Sequence, residues 1–153
     1  MRIGDLLLRI FVTAAHQLMK TGWFFSRPRT LGAHAFALTP DRKLILVKLR
    51  YASGWRLPGG GCNKNEEPRE AVLRELCEEI GMNSYGSVRL VREFKQQVHF
   101  KQDLASLFIV EDVRYRPRWS FEVERVAEVS LENLPADLAP VTSAWIGAIK
   151  DHQ

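Results

Sequence analysis

Residues 57 to 82, LPGGGCNKNEEPREAVLRELCEEIGM, run from three successive glycines straight toward a helix crowded with carboxylates. Between positions 66 and 79, Glu66, Glu67, Glu70, Glu75, Glu78 and Glu79 meet only Arg69 and Arg74, in a chain whose formal net charge is +4. The spacing predicts a helix. Pro68 suits a first turn, where its missing N–H costs nothing, and Gly81 is placed to end the helix. At about 100° per residue, Val72, Leu73, Leu76, Cys77 and Ile80 share one broad apolar face, while Glu75, Glu78 and Glu79 take a separate arc of roughly 100°. Like charges three and four residues apart destabilise a helix by about 0.2–0.5 kcal/mol per pair. A solvated helix would alternate them with lysines, and this one does not. A hard divalent cation with oxygen ligands is the simplest completion. Gly59 to Gly61 permit close backbone approaches that side chains would block, so a loop carbonyl and the carboxylates can share one metal.

Gly60, five residues, Glu66, seven residues, then Arg74-Glu75-Leu76-Cys77-Glu78-Glu79-Ile80-Gly81-Met82 form a long pattern with many fixed positions. The stretch resembles the Nudix box, the signature of the Nudix hydrolases, at every defining position. Trp55 and Leu57-Pro58 resemble the usual lead-in. The resemblance implies an α/β/α sandwich with a mixed sheet and hydrolysis of a diphosphate linkage, with Mg2+ or Mn2+ as cofactor. It also implies that Glu75, Glu78 and Glu79 bind metal, with the Gly60 carbonyl as a further ligand, and that Glu66 and Arg74 support the site by holding each other. Family members often carry Glu where Asn63 stands and Gly where Asn65 stands. Asn tolerates left-handed backbone angles, so Asn65 is harmless, whereas Asn63 removes a carboxylate and leaves the number of metals open. For the general base, Glu122 is the candidate, ahead of Glu111 and Asp103. The alternative from another class is a non-catalytic nucleotide-sensing or protein-interaction module, whose mark would be loss of box glutamates; none is lost.

With 153 residues, 46% hydrophobic and 26% charged, the chain reads as one soluble domain, 1–153, with residues 1–25 as a helical extension. Its basic balance suits small anionic ligands such as nucleotides. No Lys/Arg run or aromatic-basic repeat singles out a specific nucleic acid surface. Cys62 and Cys77 lack metal-ligand spacing; Cys77 reads as core, and reduced cytoplasm is the default compartment.

Residues 3 to about 20 predict a helix with a narrow polar stripe, Arg2, Asp5, Arg9, Thr13, His16 and Lys20, in which His16 has no special part. Ile3, Leu6, Leu7, Leu8, Ile10, Phe11, Val12, Leu18 and Met19 cover the rest. A helix this apolar calls for cover on more than one side. Packing on the domain leads, with a homodimer contact or a membrane-surface contact as rivals. Asp5 and Arg9 interrupt it too early for a membrane span or a signal-peptide core. Residues 26–30 read as a basic connector, 31–38 and 43–49 as strands of a hairpin turning at Thr39-Pro40-Asp41-Arg42. Lys48 and Arg50, near the second strand's end, read as solvated charges ahead of phosphate contacts. Strands follow at 88–94, 104–110 and 121–126, with a turn near 95–97, a basic-aromatic loop at 114–119 and a helix at 140–150 opened by Pro140. Strands on both sides of one central helix suit a mixed sheet between helices.

Substrate identity is less legible. In the resembling family, ADP-ribose cleavage often goes with a proline about 16 residues past the box, where this chain has Gln96, Gln97, Val98, His99 and Phe100. Phe100 is an approximate stand-in for the tyrosine of the dinucleoside polyphosphate class, and no coenzyme A signature precedes the box. Phe94, Phe100, Tyr115 and Trp119 are candidates for stacking on a base.

Overall fold

Residues 33–38 and 44–47 are small or apolar at nearly every position, the pattern of strands covered on both faces. Both become central strands. The computed structural model describes residues 3–26, 29–98 and 101–150. In chain order the elements are α1 (Ile3–Ser26), β1 (Arg29–Ala37), β2 (Leu44–Leu49), β3 (Trp55–Arg56), β4 (Gly59–Gly61) and α2 (Pro68–Ile80). There follow β5 (Met82–Ser84), β6 (Ser87–Val98), β7 (Lys101–Glu111), β8 (Arg114–Tyr115), β9 (Val123–Val129) and α3 (Pro140–Lys150). A mixed sheet runs in the order β4-β1-β7-β6, with β1 and β7 parallel; a second sheet runs β3-β2-β9, and β5 pairs with β8.

The two-residue period of a strand sorts the core into layers. Ala33, Ala35, Ala37, Ile45, Val47, Phe108 and Val110 pack with Val72, Leu76 and Ile80 of α2. Their neighbours Phe36, Leu38, Leu44, Leu46, Leu107 and Ile109 pack with Trp145, Ile146 and Ile149 of α3. Helix, sheets, helix: the α/β/α sandwich expected from the order of elements is the one found.

Three local expectations change. The first two strands turn at Thr39–Arg42 as read, closed by the Thr39 N–H to the Lys43 carbonyl (2.9 Å) and one Leu38–Leu44 bridge. Beyond that they part into different sheets, because β1 takes β4 and β7 as partners while β2 takes β3 and β9. The predicted hairpin is only a turn. No turn interrupts 95–97 either, since β6 stays paired with β7 through Val98. The connector at 26–30 is shorter than read: Ser26 ends α1 and Arg29 opens β1, with 27 and 28 outside the described residues.

α1 departs most. Leu7 is 61% exposed and Phe11 71%, with Leu6 and Ile10 also open, so the described helix is not covered on several sides. Two residues of its polar stripe, Arg9 and His16, reach the domain instead. Arg9 pairs with Glu124 at 3.8 Å, and the His16 ring stacks on Tyr51 with centroids 4.6 Å apart. Hydrophobicity alone assigned the outer face to the interior. Arg2 and the side chains of Ile3, Asp5, Leu18, Met19 and Lys20 lie outside the described residues, as do His99 and Phe100. Among the described residues no helix is long and apolar enough to cross a membrane.

Candidate functional site

Register brings the glycines to the carboxylates. Gly59, Gly60 and Gly61 lie opposite His34, Ala33 and Gly32 of β1. Gly59 holds φ +145, and a Cβ there would run into the Ala33 carbonyl oxygen. At Gly60 a Cβ would stand 2.6 Å from Glu75 Oε1. Only glycines let α2 bring its carboxylates this close to the loop. The cap residues behave as read: Pro68 opens α2, Gly81 ends it at φ 74, and Asn65 takes the left-handed angle, φ 63.

The helix is rotated relative to the arcs drawn from sequence. Ala71, Val72, Leu76, Glu79 and Ile80 are its buried residues, so Glu79 belongs to the inner face and not to a separate outer arc. Cys77, read as core, is exposed. The strand-side partner explains the rotation, because Glu79 Oε2 accepts a 2.8 Å hydrogen bond from the Gly59 N–H. Burial pushes the Glu79 carboxyl up to about 8, against the pull of that N–H and with further repulsion from Glu75, Glu122 and Glu78. Glu75 is raised as well, first by burial, while Arg74 opposes the rise.

Arg74 ties the surround together. Its Nε and Nη2 donate to the two oxygens of Glu66 at 2.8 and 3.0 Å, a bidentate fork. Nη2 also reaches the Gly61 carbonyl at 2.9 Å. From Nη1 it donates to Glu75 Oε1 at 2.9 Å and Glu78 Oε2 at 3.2 Å. The Asn63 N–H adds a 2.7 Å bond to Glu66. Arg74 and then that N–H hold the Glu66 carboxyl below the usual carboxylate range. The fork thus locks the loop at residues 61–66 onto the middle of α2.

Glu75, Glu78, Glu79 and Glu122 line one open cleft of about 350 Å³, shared with Trp119, Ser120 and Phe121. Glu122 does not lie within a strand as read; it is the last residue before β9, where its carbonyl accepts from the Arg50 N–H. Ser120 and Phe121 were not expected at a site. Their signal was adjacency to Glu122 in the segment WSFE. Among the described residues no three His, Cys, Asp or Glu side chains are already gathered as a ligand set, and Glu75 and Glu78 are both bonded to Arg74. The donor types nevertheless suit a hard cation: oxygen throughout, with one carboxyl held neutral first by burial and then by the carboxylates beside it.

Other candidates fall elsewhere. Glu111 pairs with Arg42 at 2.8 Å and accepts from Ser87, away from the cleft. The Asp103 side chain lies outside the described residues. Lys48 bonds Asp137 at 3.0 Å and covers Trp55, whereas Arg50 reaches the Ser120 carbonyl at 3.5 Å. Phe94 packs near Trp145 in the α3 layer. Tyr115 packs in the α2 layer and donates to Glu128. Of the three ring candidates among the described residues, Trp119 alone lines the cleft. Behind the glycines, His34 is lowered to about 4, first by burial and then by Arg56; its Nδ1 is buried without a partner.

A family model described as the NUDIX domain matches residues 28–146. A putative 8-oxo-dGTP diphosphatase of Bacillus subtilis (strain 168) is 36% identical over 61 residues, 40% of this chain and 41% of that protein. An RNA pyrophosphohydrolase of Blochmanniella pennsylvanica (strain BPEN) is 45% identical over 63 residues, 41% of this chain and 39% of that protein. The matched stretch thus spans about two fifths of these curated relatives. A MutT NUDIX hydrolase from Burkholderia pseudomallei has a similar fold, with a TM-score of 0.67 at 24% identity, over 78% of this chain and 96% of that one.

Proposed function

The chain belongs to the Nudix family, and from that premise we propose that it is a pyrophosphohydrolase. The bond it cleaves is the diphosphate linkage of a nucleoside diphosphate derivative, of the nucleoside triphosphate, nucleotide sugar or dinucleotide type. The observation that carries this is the convergence of Glu75, Glu78, Glu79 and Glu122 on one cleft, with Glu79 buried against the Gly59 N–H. The names of the relatives, a diphosphatase and a pyrophosphohydrolase, support the same bond class.

Nudix hydrolases generally use divalent metal ions, and this reading gives Mg2+ or Mn2+ to Glu75, Glu78 and Glu79, with the Gly60 carbonyl as a further ligand. Bound there, such an ion would offset phosphate charge and lower the pKa of a water. The chain's own residues do the rest. Arg74 and Glu66 set the position of the loop against the helix. Glu79 would hold the ion as a carboxylate, giving up the proton it otherwise keeps, as ligand carboxyls must. Glu122, which lines the same cleft from the segment before β9, takes a proton from the attacking water. Residues 1–153 form a single catalytic domain in this reading, with 1–25 as a helical extension.

The test is phosphate or nucleotide release from a panel of nucleoside triphosphates, nucleotide sugars and dinucleotides, with and without magnesium. Metal-dependent product from one class supports the reading; saturable binding with no product would turn it to a nucleotide sensor. Sizing at several concentrations would separate a homodimer contact through α1 from a solvent-facing helix.

A further inference from the structure

Most large apolar side chains of the sheets, α2 and α3 are sorted into two packed layers, and Trp119 and Phe121 belong to neither. Trp119 is 65% exposed and Phe121 62%. They touch only edge to face, with ring centroids 4.4 Å apart and planes at 74°. In such a pair the ring that offers its edge keeps both of its own faces uncovered. Two aromatic rings this exposed stand outside both core layers, yet they line the same cleft as Glu75, Glu78, Glu79 and Glu122. The segment that carries them is anchored at both ends. Arg116 N–H donates to the Gly81 carbonyl at 3.0 Å and Arg118 reaches the Cys77 carbonyl at 3.4 Å, while Ser120 accepts from the Glu122 and Val123 N–H groups at 3.2 and 3.1 Å. The rings are therefore held at a fixed place beside the carboxylates, on backbone that the helix C-terminus and β9 both grip.

We infer that Trp119 and Phe121 are the wall on which the substrate's nucleobase stacks while its phosphates lie against the carboxylates. The inference rests on the pyrophosphohydrolase reading and narrows it to nucleoside 5′-polyphosphates whose base is free to stack. The carboxylate end of the cleft has no ring face on which a base could stack. The aromatic end offers a π surface and no charge, so the two ends divide one ligand between base and phosphates. Stacking of this kind tolerates any base, so the wall selects for the presence of a ring and not for one base.

The test compares kcat/KM for ATP with kcat/KM for ribose 5-triphosphate, in magnesium, for the wild type and for Trp119→Ala, Trp119→Phe and Phe121→Ala. The wild type should favour ATP, and Trp119→Ala should reduce that preference by about 10- to 100-fold, the range of one base–aromatic stack, through KM and not kcat. Trp119→Phe should retain most of it. Phe121→Ala should lose part, which keeps the test alive if Trp119→Ala does not fold. An ATP preference equal in the wild type and both alanine variants would overturn the inference while leaving the hydrolase reading standing. Calorimetry with α,β-methylene ATP separates the converse case: binding weakened by Trp119→Ala, in a protein that turns over no nucleotide, would keep the wall and remove the hydrolase.

Discussion

Glu79→Gln separates the chemistry of the cleft from its cost to the fold. The folded carboxyl is raised to about 8 from the ordinary 4.5. With the folded value the higher one, the stability this group contributes is complete below 4.5 and is lost as pH rises through about 8. At about pH 7.5 most folded molecules keep the proton that unfolded chains have released, and regaining it on folding costs roughly 4 kcal/mol. Glutamine has the neutral acid's shape, can still accept from the Gly59 N–H, and carries no such cost. Metal-free Glu79→Gln should therefore be more stable than the wild type near pH 7.5, by up to about 4 kcal/mol, or on the order of 10 °C for a domain of this size. Near pH 4 the difference should vanish. Hydrolysis at saturating magnesium should be lost. The assay is thermal unfolding in chelator from about pH 4 to pH 9, beside turnover in magnesium. A variant that is less stable throughout, with the wild type's pH slope, would refute the reasoning about burial. Near-normal turnover would refute the assignment of Glu79.

Three further outcomes follow from neighbouring contacts. His34 is lowered to about 4 from 6.5, so its share of stability is intact above 6.5 and lost as pH falls toward 4, roughly 3 kcal/mol in all; His34→Leu should flatten that acid limb in urea unfolding. Gly60→Ala places a Cβ 2.6 Å from Glu75 Oε1 and should cut turnover by about 10- to 100-fold in a protein whose circular dichroism is unchanged. Glu66→Gln weakens the Arg74 fork and should raise half-saturating magnesium by about tenfold with kcat at saturation largely kept; an unchanged magnesium requirement would mean the fork plays no part in metal binding.

The box was legible because its parts are local. Gly60, Glu66 and Arg74-Glu75 through Glu78-Glu79 lie within two dozen residues, and the family resemblance that pairs Glu66 with Arg74 rests on that short stretch. Across the rest of the chain, legibility failed wherever a partner was distant in sequence. Nothing in 31–49 says that β1 will choose β4 and β7 over β2. Glu79 looked solvent-facing because a helical wheel scores side chains by hydrophobicity, and the Gly59 N–H that buries it belongs to another element. α1 inverted for the same reason: Tyr51 and Glu124, which draw His16 and Arg9 inward, are 35 and 115 residues away. Trp119 could be named from composition. Phe121 could not, since an aromatic at a strand's start usually packs inward.

Four carboxylates around one cleft need a counter-charge in the metal-free protein, and Arg74 supplies it for Glu75 and Glu78. At first sight this opposes catalysis, because a residue that neutralises ligands competes with the ion they are meant to hold. The geometry makes the competition unequal. Arg74 grips Glu66 through two nitrogens and Gly61 through a third bond, but gives Glu75 and Glu78 one shared nitrogen, at 2.9 and 3.2 Å. A planar guanidinium fixed by its fork cannot follow either carboxylate as it turns, whereas a lysine ammonium on a flexible stem could. Glu78 is the more exposed of the two, with 59% of its side chain open against 14% for Glu75, so its bond to Arg74 is the weaker by solvent screening as well as by length. In the proposed reading either glutamate would exchange this single bond for an ion while the fork to Glu66 keeps the loop anchored. In that reading the same arginine would be the counter-ion of the free carboxylates and, once an ion is bound, the brace of the loop beside them.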